Sequence, residues 1–403
     1  MMIRGTLRDI NAAALWAGVS AFIWYAFGTI PLQIAVAEQL RLEAAQASSW
    51  ICIVWFSGAV SSIALSLVYR QPIPITWTIP GLVYLGTLAG QFSFAEIVGA
   101  NLLAGFVIIG LGLVGIGGRI MAWLPLPIVM GMFAGSILVY LTRLVQATVE
   151  DVIIAGATVA GYLLGRFVAH PRVPPLGLAV FCGAVAIVIA QRTTPAAVTW
   201  VLPTLVVPSI SFSLPAVAAV TLPMVVLAMG LGNVQGLGFL LAQGYRVPVT
   251  VVTVVVGINS VVNALFGGHP AIVARTGVAI LAARDAGPPD GRYWANLLAA
   301  ALTLILALAA TSVFSLLSIL PASYIIALAG LAILASLQDA FEKAFGTTLR
   351  FGALIAFTVA ATPFAFLGIT SAFWAVLAGV VAALIVEHEE LLAHWAQGKQ
   401  AVG

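Results

Sequence analysis

The stretch Gly267-Gly268-His269-Pro270-Ala271-Ile272-Val273-Ala274-Arg275-Thr276 cannot form an ordinary membrane helix, although it lies within a long apolar part of the chain. Two glycines and a proline at its start favour an extended backbone, and a helical pattern resumes over residues 276–283. Irregular backbone is tolerated at bilayer depth only where protein buries it or where it lines a watery cavity. A half-helix beginning there directs free N–H groups at its surroundings, and Arg275 adds a positive charge. The stretch therefore predicts an anion site.

A second stretch of the same kind covers residues 69–81 and carries three prolines. Alternating isoleucine and tryptophan from Ile73 to Ile79 predict a short strand, and Pro80 suits the first turn of a half-helix. Two interrupted segments at matching places in two halves of a chain are the best sequence indication of a transporter's binding site near the midplane. The alternative is a pair of loops packed for shape alone.

The composition is that of a membrane protein. The chain is 62% hydrophobic and only 7% charged, whereas soluble domains are about a quarter charged. The net charge of +3 comes without a basic cluster, which argues against nucleic-acid binding. The two cysteines lie in apolar runs and indicate core residues rather than a disulfide or a metal pair. The chain is therefore predicted to be an all-α polytopic membrane protein in a lipid bilayer.

Runs of about 20 apolar residues, long enough to cross a bilayer, predict fourteen transmembrane segments. The third segment of each half is the broken one, and an odd number of segments per half gives the two halves opposite orientations. The sequence thus predicts a seven-plus-seven inverted repeat with short strands and half-helices in segments 3 and 10. The segments are 11–30, 48–69, 73–90, 94–116, 123–142, 150–169, 174–190, 214–240, 247–266, 268–284, 291–316, 319–337, 347–366 and 370–386.

Basic residues test this topology. With the N-terminus inside, twelve of them fall on the cytoplasmic side and three on the outer side, which is the positive-inside bias of a cell (inner) membrane protein with both termini cytoplasmic. Arg275 belongs to neither side. The outer three are Arg41, Arg143 and Arg192, and the inner ones are Arg4, Arg8, Arg70, Arg119, Arg166, Arg172, Arg246, Arg284, Arg292, Lys343, Arg350 and Lys399.

Segment 8 contains a glycine-rich polar stretch at residues 229–238. Its four glycines allow local unwinding, and Asn233 and Gln235 could contact a ligand. Glycine-mediated helix packing is an equally good interpretation. Asn259 and Asn263 lie on one helical face at i,i+4, a spacing that favours bonds to neighbouring helices.

Three other polar residues are candidates for function. Ser93 and Glu96 fit a capping box, which favours a structural role for Glu96. His269 could carry a proton, because it titrates near neutrality, or it could fix the glycine turn. An arginine within the membrane is a functional hypothesis by default. Since the half-helix of Arg275 contains no acidic residue, its partner is either elsewhere or the ligand.

The ordered set of motifs resembles the BenE family of benzoate/proton symporters over nearly the whole chain. The resemblance lies in Arg70-Gln71-Pro72, Trp77-Thr78-Ile79-Pro80-Gly81, Gly244-Tyr245-Arg246-Val247-Pro248, Phe266-Gly267-Gly268-His269 and Arg292-Tyr293-Trp294-Ala295. It implies the fold shared with UraA-like nucleobase transporters and SulP anion transporters. The core domain would comprise residues 1–118 and 213–317, and the gate domain residues 119–212 and 318–388. A cytoplasmic tail would cover 389–403.

The resemblance also implies a site and a mechanism. The core would slide against the gate in an elevator movement, with an aromatic carboxylate held between the half-helices and a proton as co-substrate. Arg275 would neutralise the carboxylate and Trp77 would offer a flat apolar face to its ring. His269 and Glu96 are the candidate proton carriers. The predicted substrate-binding residues are Thr76, Trp77, Thr78, Asn233, Gln235, Ala274, Arg275 and Thr276.

The sequence departs from the family pattern at several positions. The family's usual Ala-Trp-Ser-Thr-Pro-Gly is Thr76-Trp77-Thr78-Ile79-Pro80-Gly81 here, and Pro270 is unusual. The basic Arg275 replaces a small or apolar residue and is more similar to some SulP carriers. The acidic residues of nucleobase transporters on segments 8 and 10 are missing. A SulP-like exchanger or channel, for an inorganic anion or another carboxylate, is therefore the main alternative.

An enzyme needs convergent acids, bases or metal ligands, and only His269 is placed at depth, so no enzymatic activity, metal or cofactor is predicted. The acidic and histidine residues from Glu387 to His394 follow a segment end and are assigned to a solvated face. The resemblance allows a homodimer formed through the gate domain, but no sequence pattern identifies the residues of its interface.

Overall fold

The computed structural model describes residues 9–115, 125–168, 175–192, 200–366 and 369–400. Several predictions concern residues outside this set. They are the basic residues Arg4, Arg8, Arg119 and Arg172 and the segment ends at 116, 123, 169 and 174.

The first half is a series of apolar helices interrupted once. Helix α1 begins where the Asn11 side chain accepts the Ala14 N–H at 2.8 Å. It runs through Pro31, beyond the predicted end at residue 30, because residues 32–37 are buried and, apart from Gln33, apolar. The elements are α1 (Ala12–Gln39), α2 (Ala44–Tyr69), β1 (Ile75–Trp77), α3 (Ile79–Thr87), α4 (Phe94–Val114), α5 (Leu126–Glu150), α6 (Ile154–Val168) and α7 (Pro175–Ile189).

The second half repeats this order. Helix α8 contains two wide π-helical stretches, Val217–Thr221 and Leu227–Asn233, the second of which lies in the glycine-rich part. The elements are α8 (Leu214–Ala242), α9 (Val249–Leu265), β2 (Ala271–Val273), α10 (Arg275–Leu281), α11 (Tyr293–Leu308), α12 (Ala310–Ser318), α13 (Ala322–Phe345), α14 (Arg350–Ala361), β3 (Ala365–Phe366), β4 (Ile369–Thr370), α15 (Ser371–Val386) and α16 (His388–Gln400).

Each of the fourteen predicted segments contains a helix, and segments 3 and 10 consist of a strand followed by a half-helix, as predicted. Within the described part of the chain, seven helices are long and apolar enough to cross a membrane singly, or eight if α15 and α16 are joined across their 109° bend. The other segments contain shorter helices. Segments 6, 7 and 13 have helices of 12 to 15 residues, and segments 3 and 10 are divided into a strand and a half-helix.

Helix packing shows the relation between the halves. Helix α4 of the first half packs along α9 of the second half. Their counterparts in the repeat, α11 of the second half and α2 of the first, pack in the same way. Helix α5 packs against both α13 and α14. The strands β1 and β2 pair with each other across the halves. This is the arrangement expected of an inverted repeat.

Glycines in α8 permit close contact with β2. A Cβ atom at Gly232 would overlap the Ile272 side chain, and one at Gly236 would lie 2.6 Å from the Val273 carbonyl oxygen. The packing interpretation of this glycine-rich stretch is therefore correct, and the π-helical turn shows that local unwinding accompanies it.

The acidic residues after segment 14 have a structural role at the end of the bundle. Glu390 accepts the Leu349 N–H at 2.7 Å, and Glu387 accepts the N–H groups of Phe351 and Gly352 at 2.8 and 2.9 Å. These carboxylates satisfy the free N–H groups at the start of α14, a favourable position for negative charge. Glu390 is exposed and Glu387 is partly exposed, so the predicted solvated face also caps α14.

Candidate functional site

The strands β1 and β2 cross in the middle of the molecule and pair antiparallel, with Thr76 opposite Ile272. Two further backbone hydrogen bonds extend the ladder, from Thr78 N to Pro270 O at 3.0 Å and from Ala274 N to Pro74 O at 2.9 Å. Each strand leads into its half-helix after one residue. Both half-helices therefore begin at the same crossing.

Buried side chains from neighbouring helices hold the strands in place. Ser62 on α2 accepts the Ile75 N–H at 2.7 Å, and Ser260 on α9 accepts the Ala271 N–H at 2.9 Å. Asn233 on α8 accepts the Val273 N–H at 3.3 Å and donates to Thr253 at 3.3 Å. Asn233 is fully buried, so it positions β2 here instead of facing a ligand.

The predicted residues of β1 divide into buried and accessible ones. Trp77 is only 2% exposed, and its ring lies 4.2 Å from that of Trp55. The apolar face predicted for a substrate ring is thus covered by another tryptophan in this conformation. Thr78 is fully buried and accepts the Gly81 N–H at 3.1 Å, which caps α3. Thr76 is half-buried and is the most accessible of the three.

Helix α1 contributes polar side chains that the sequence analysis missed. Gln33 accepts a hydrogen bond from Trp55 Nε1 at 2.8 Å, and Tyr25 lies against Gly277 in the first turn of α10. Among the described residues, Gln33 Nε2, Tyr25 Oη and Trp77 Nε1 have no hydrogen-bond partner. The signal was available, because Gln33 is an amide in an otherwise apolar run, but the predicted segment ended at residue 30.

His269 lies in the turn before β2 and is fully buried. Its Nδ1 accepts a hydrogen bond from Trp50 Nε1 at 3.0 Å, and its backbone oxygen accepts one from Asn263 at 3.1 Å. Because the indole N–H is only a donor, this contact requires Nδ1 to be unprotonated. Of the two alternatives for His269, the geometry favours the structural one.

Glu96 forms the predicted capping box at the start of α4. Its carboxylate accepts from the Ser93 N–H at 3.0 Å and from the Ser93 hydroxyl at 2.8 Å, and Ser93 Oγ accepts the Glu96 N–H at 3.3 Å. Asn259 and Asn263 also bond between helices as expected, since both accept from Ser57 on α2. These residues hold the fold together.

Arg275 is the first residue of α10, and 43% of its side chain is exposed. Its Nη1 donates to Gln235 Oε1 at 2.9 Å and pairs with Asp339 Oδ1 at 3.1 Å. Lys343, one turn beyond Asp339 on α13, contacts Asp339 Oδ2 at 2.8 Å and Gln235 Oε1 at 3.1 Å. The partner of Arg275 is therefore an acidic residue of α13, two residues beyond the predicted end of segment 12. We call these four residues the Arg275 cluster.

The predicted site residues therefore fall into two groups. Arg275 and Gln235 meet in the Arg275 cluster. The two neighbours of Arg275 in the chain are Ala274, which is 5% exposed, and Thr276, which is half-buried. Trp77 and Thr78 are in the packed interior beside the strands, and Asn233 is behind β2. A positive, partly accessible group next to a half-helix start can hold an anion.

A helical membrane fold in which two broken segments cross at paired strands is an arrangement typical of membrane transporters. The model of the BenE family, described as benzoate membrane transport protein, matches residues 8–385. The chain belongs to the BenE family, as its motifs indicated, and it is a multi-pass membrane transporter rather than an enzyme.

Two relatives are similar to this chain over most of their length. The chain is 29% identical over 347 residues to inner membrane protein YdcO of Escherichia coli K12, covering 85% of this chain and 88% of that protein. It is 26% identical over 389 residues to the benzoate membrane transport protein of Acinetobacter baylyi, covering 96% and 98%.

Solved structures share the fold at low sequence identity. The transmembrane domain of the cyanobacterial bicarbonate transporter BicA aligns with a TM-score of 0.58 and 16% identity, covering 92% of this chain and 97% of that domain. SLC26A9 aligns with a TM-score of 0.60 and 14% identity, covering 94% of this chain and 66% of that one. This similarity confirms the predicted fold class.

Proposed function

We propose that this protein is a secondary active transporter of a small anion, benzoate or another aromatic carboxylate, in symport with a proton. The observation that carries the proposal is Arg275, a partly exposed cation at the start of a half-helix beside the strand crossing. A guanidinium binds a carboxylate through charge-assisted, often bidentate, hydrogen bonds. The name of the Acinetobacter baylyi relative supports benzoate as the first substrate to test.

Transport would follow an elevator movement of a core domain, residues 1–118 and 213–317, against a gate domain, residues 119–212 and 318–388. Helix packing supports this division. Helices α1, α2, α4, α9 and α11 pack mainly among themselves, as do α5, α13, α14 and α15. The strand crossing lies in the first group, and α13, which carries Asp339, lies in the second.

A cavity of about 550 Å³ between the two groups supports alternating access. Its lining includes Gln39 and Thr87 from the core side and Ser136 and Arg143 from the gate side. It lies at the C-terminal end of α3, whereas Arg275 is at the N-terminal end of the other half-helix. We assign it to the opposite entrance of the transport path.

Exchange of one anion for another, or uncoupled flux, is the second candidate. The contacts of the two proton-carrier candidates favour it. Trp50 Nε1 donates a hydrogen bond to His269 Nδ1, and the Glu96 carboxylate accepts the Ser93 N–H in the capping box. Both proton-carrier candidates are thus engaged in structural contacts. Proton symport then requires another group to change protonation during the cycle.

The test is uptake of labelled benzoate into proteoliposomes with and without an inward acid gradient. Arg275→Ala should reduce uptake at least about tenfold, because loss of a charged partner of the substrate costs about 2 kcal/mol or more. Arg284→Ala, a nearby exposed arginine past the end of α10, is the matched control and should transport normally.

Gradient-driven uptake would support symport, and benzoate uptake independent of the gradient would support exchange or uncoupled flux. Uptake of sulfate or bicarbonate but not benzoate would retain an anion transporter and reject the aromatic substrate. Normal transport by Arg275→Ala would reject the anion site.

We further propose an inner-membrane location with both termini cytoplasmic. The distribution of basic residues in the predicted loops supports this orientation. A reporter that is active only in the cytoplasm, fused to the C-terminus, should be active. A periplasmic reporter at the same position would have to be inactive.

A further inference from the structure

The Arg275 cluster is a polar contact between the two groups of helices, which also meet where α1 packs against α13. Arg275 and Gln235 come from α10 and α8, and Asp339 and Lys343 come from α13. The first pair is held in place by the hydrogen bond between Asn233 and Val273, which fixes α8 against β2. Asn233 lies two residues before Gln235, and Val273 lies two residues before Arg275. The second pair is fixed by its i,i+4 spacing on one helix. The cluster therefore has a defined geometry on both sides.

The charges of the cluster do not balance. Arg275 and Lys343 are two cations, and Asp339 is the carboxylate within 4 Å that pairs with them among the described residues. One positive charge is left over. Burial of part of these groups makes an uncompensated charge costly, so the cluster favours one more negative charge.

A neutral atom occupies the place where that charge would sit. Gln235 Oε1 accepts from Arg275 Nη1 at 2.9 Å and from Lys343 Nζ at 3.1 Å. Two cations thus donate to one amide oxygen. A carboxylate oxygen binds such donors more strongly than an amide oxygen does, because the hydrogen bonds become charge-assisted at both ends.

The cluster is not enclosed by the protein. The exposed fractions of the side chains are 43% for Arg275, 25% for Lys343 and 27% for Asp339. An anion could therefore displace Gln235 without unfolding the helices. Because Lys343 and Asp339 belong to α13, the complete set of donors exists only while α10 lies beside α13.

We propose that the Arg275 cluster is an anion site selective for a single negative charge, in which a monocarboxylate bridges Arg275 and Lys343 and replaces the oxygen of Gln235. Asp339 is the specificity-determining residue, because its carboxylate neutralises one of the two cations and leaves one positive charge for the ligand. This rests on the proposed function and adds two residues of α13 to the substrate site. It also predicts that dicarboxylates bind poorly.

The experiment is calorimetric titration of the purified full-length protein in detergent with benzoate, a monoanion, and phthalate, a dianion of similar shape. Gln235→Glu keeps the side-chain size and supplies the missing charge, so benzoate affinity should fall at least about tenfold. Gln338→Glu is the matched control. It makes the same change on α13 but faces a separate cavity lined by Tyr162 and Arg166, so it should bind like the wild type.

Asp339→Asn raises the deficit to two charges and should shift the phthalate-to-benzoate affinity ratio at least about tenfold towards phthalate. A melting curve of each variant in detergent establishes that it is folded. Gln235→Glu should melt no lower than the wild type, because it completes the cluster.

Wild-type benzoate binding that is unchanged in Gln235→Glu, or a ratio unchanged in Asp339→Asn, would overturn the inference and leave the proposed transport function standing. Loss of benzoate binding in Arg275→Ala together with retention in Lys343→Ala would remove α13 from the site and also overturn it. A wild-type protein that neither binds nor transports benzoate would reject the aromatic substrate of the proposed function, and this inference with it.

Discussion

The two half-helix starts, at Thr78-Ile79 and at Ala274-Arg275, occupy equivalent places in the repeat but differ in chemistry. The start of α3 is neutral: Thr78 caps the helix with its own hydroxyl, and Pro80 fills the first turn. The start of α10 has no capping side chain among the described residues, and it carries Arg275. The two starts share the same backbone structure, but only the start of α10 carries a charged residue.

This difference indicates how the repeat is used. Both starts need extended backbone, a serine from a neighbouring helix and a glycine at the third helical position, and both have them. These features build the crossing. Arg275, the charged residue that distinguishes the start of α10, is the one that we propose to hold the anion.

The largest expected effect on stability comes from the shared glycine. Gly277 touches the hydroxyl of Tyr25, so Gly277→Ala places a Cβ atom on an oxygen that is already buried. We expect a loss of about 1–3 kcal/mol, as for other overpacked sites. Thermal melting in detergent measures it.

Tyr25→Phe provides the control for this change, because it removes the overlapping oxygen. The double variant Tyr25→Phe/Gly277→Ala should recover most of the stability. If the double variant melts as low as Gly277→Ala, the overlap with Tyr25 is not the cause.

The serines that hold the strands test whether the two halves are energetically alike. Ser62→Ala and Ser260→Ala each leave a buried strand N–H without its partner, which costs about 1–3 kcal/mol. We expect similar decreases of the melting temperature for both variants. A large difference would show that one strand is held mainly by other contacts. Ser315→Ala, at an exposed serine of α12 outside the crossing, is the control.

Removal of the cap should affect only the start of α3. Thr78→Ala deletes the hydroxyl that accepts the Gly81 N–H and should cost about 0.5–2 kcal/mol. The variant Ala274→Ser places a hydroxyl at the equivalent position of α10. If the two starts are alike in backbone, the second change should not destabilise the protein, and a marked decrease in melting temperature would contradict the equivalence.

The smallest effect on uptake is expected at the Trp50–His269 contact. Trp50→Phe removes one buried hydrogen bond and leaves His269 Nδ1 without a donor, which should cost about 1–3 kcal/mol of stability. If His269 has a structural role, the pH profile of benzoate uptake should keep its midpoint in this variant. A shifted midpoint would restore His269 as the proton carrier and place a coupling group at the crossing.

Much of the fold followed from local patterns. The length of each apolar run, the position of the prolines in 72–80 and the glycines at 267–268 predicted the segments and both interruptions. Physical constraints made this reliable, because a lipid bilayer leaves few backbone structures that satisfy all N–H and C=O groups. The predicted end of the first segment was wrong, since an apolar helix can continue through Pro31 when its neighbours satisfy the backbone.

The candidate site was predicted less completely. Arg275 and Gln235 were identified as charged and polar groups inside apolar runs, and they meet in the structure. Asp339 was missed and Lys343 was assigned only to a cytoplasmic end, because the sequence shows no link between residues 64 or more positions apart. Trp77 was predicted to be open to a ligand, but Trp55 covers it.

The sequence by itself determined that this chain spans a membrane as two related halves, that each half is broken at its third segment, and that a single arginine lies at one break. These properties depend on hydrophobicity and on backbone chemistry, which are local. Only the tertiary structure decided that Asn233 supports a strand, that His269 is held by Trp50, and that Arg275 meets Asp339 and Lys343. These contacts depend on how distant helices pack, which no local pattern specifies.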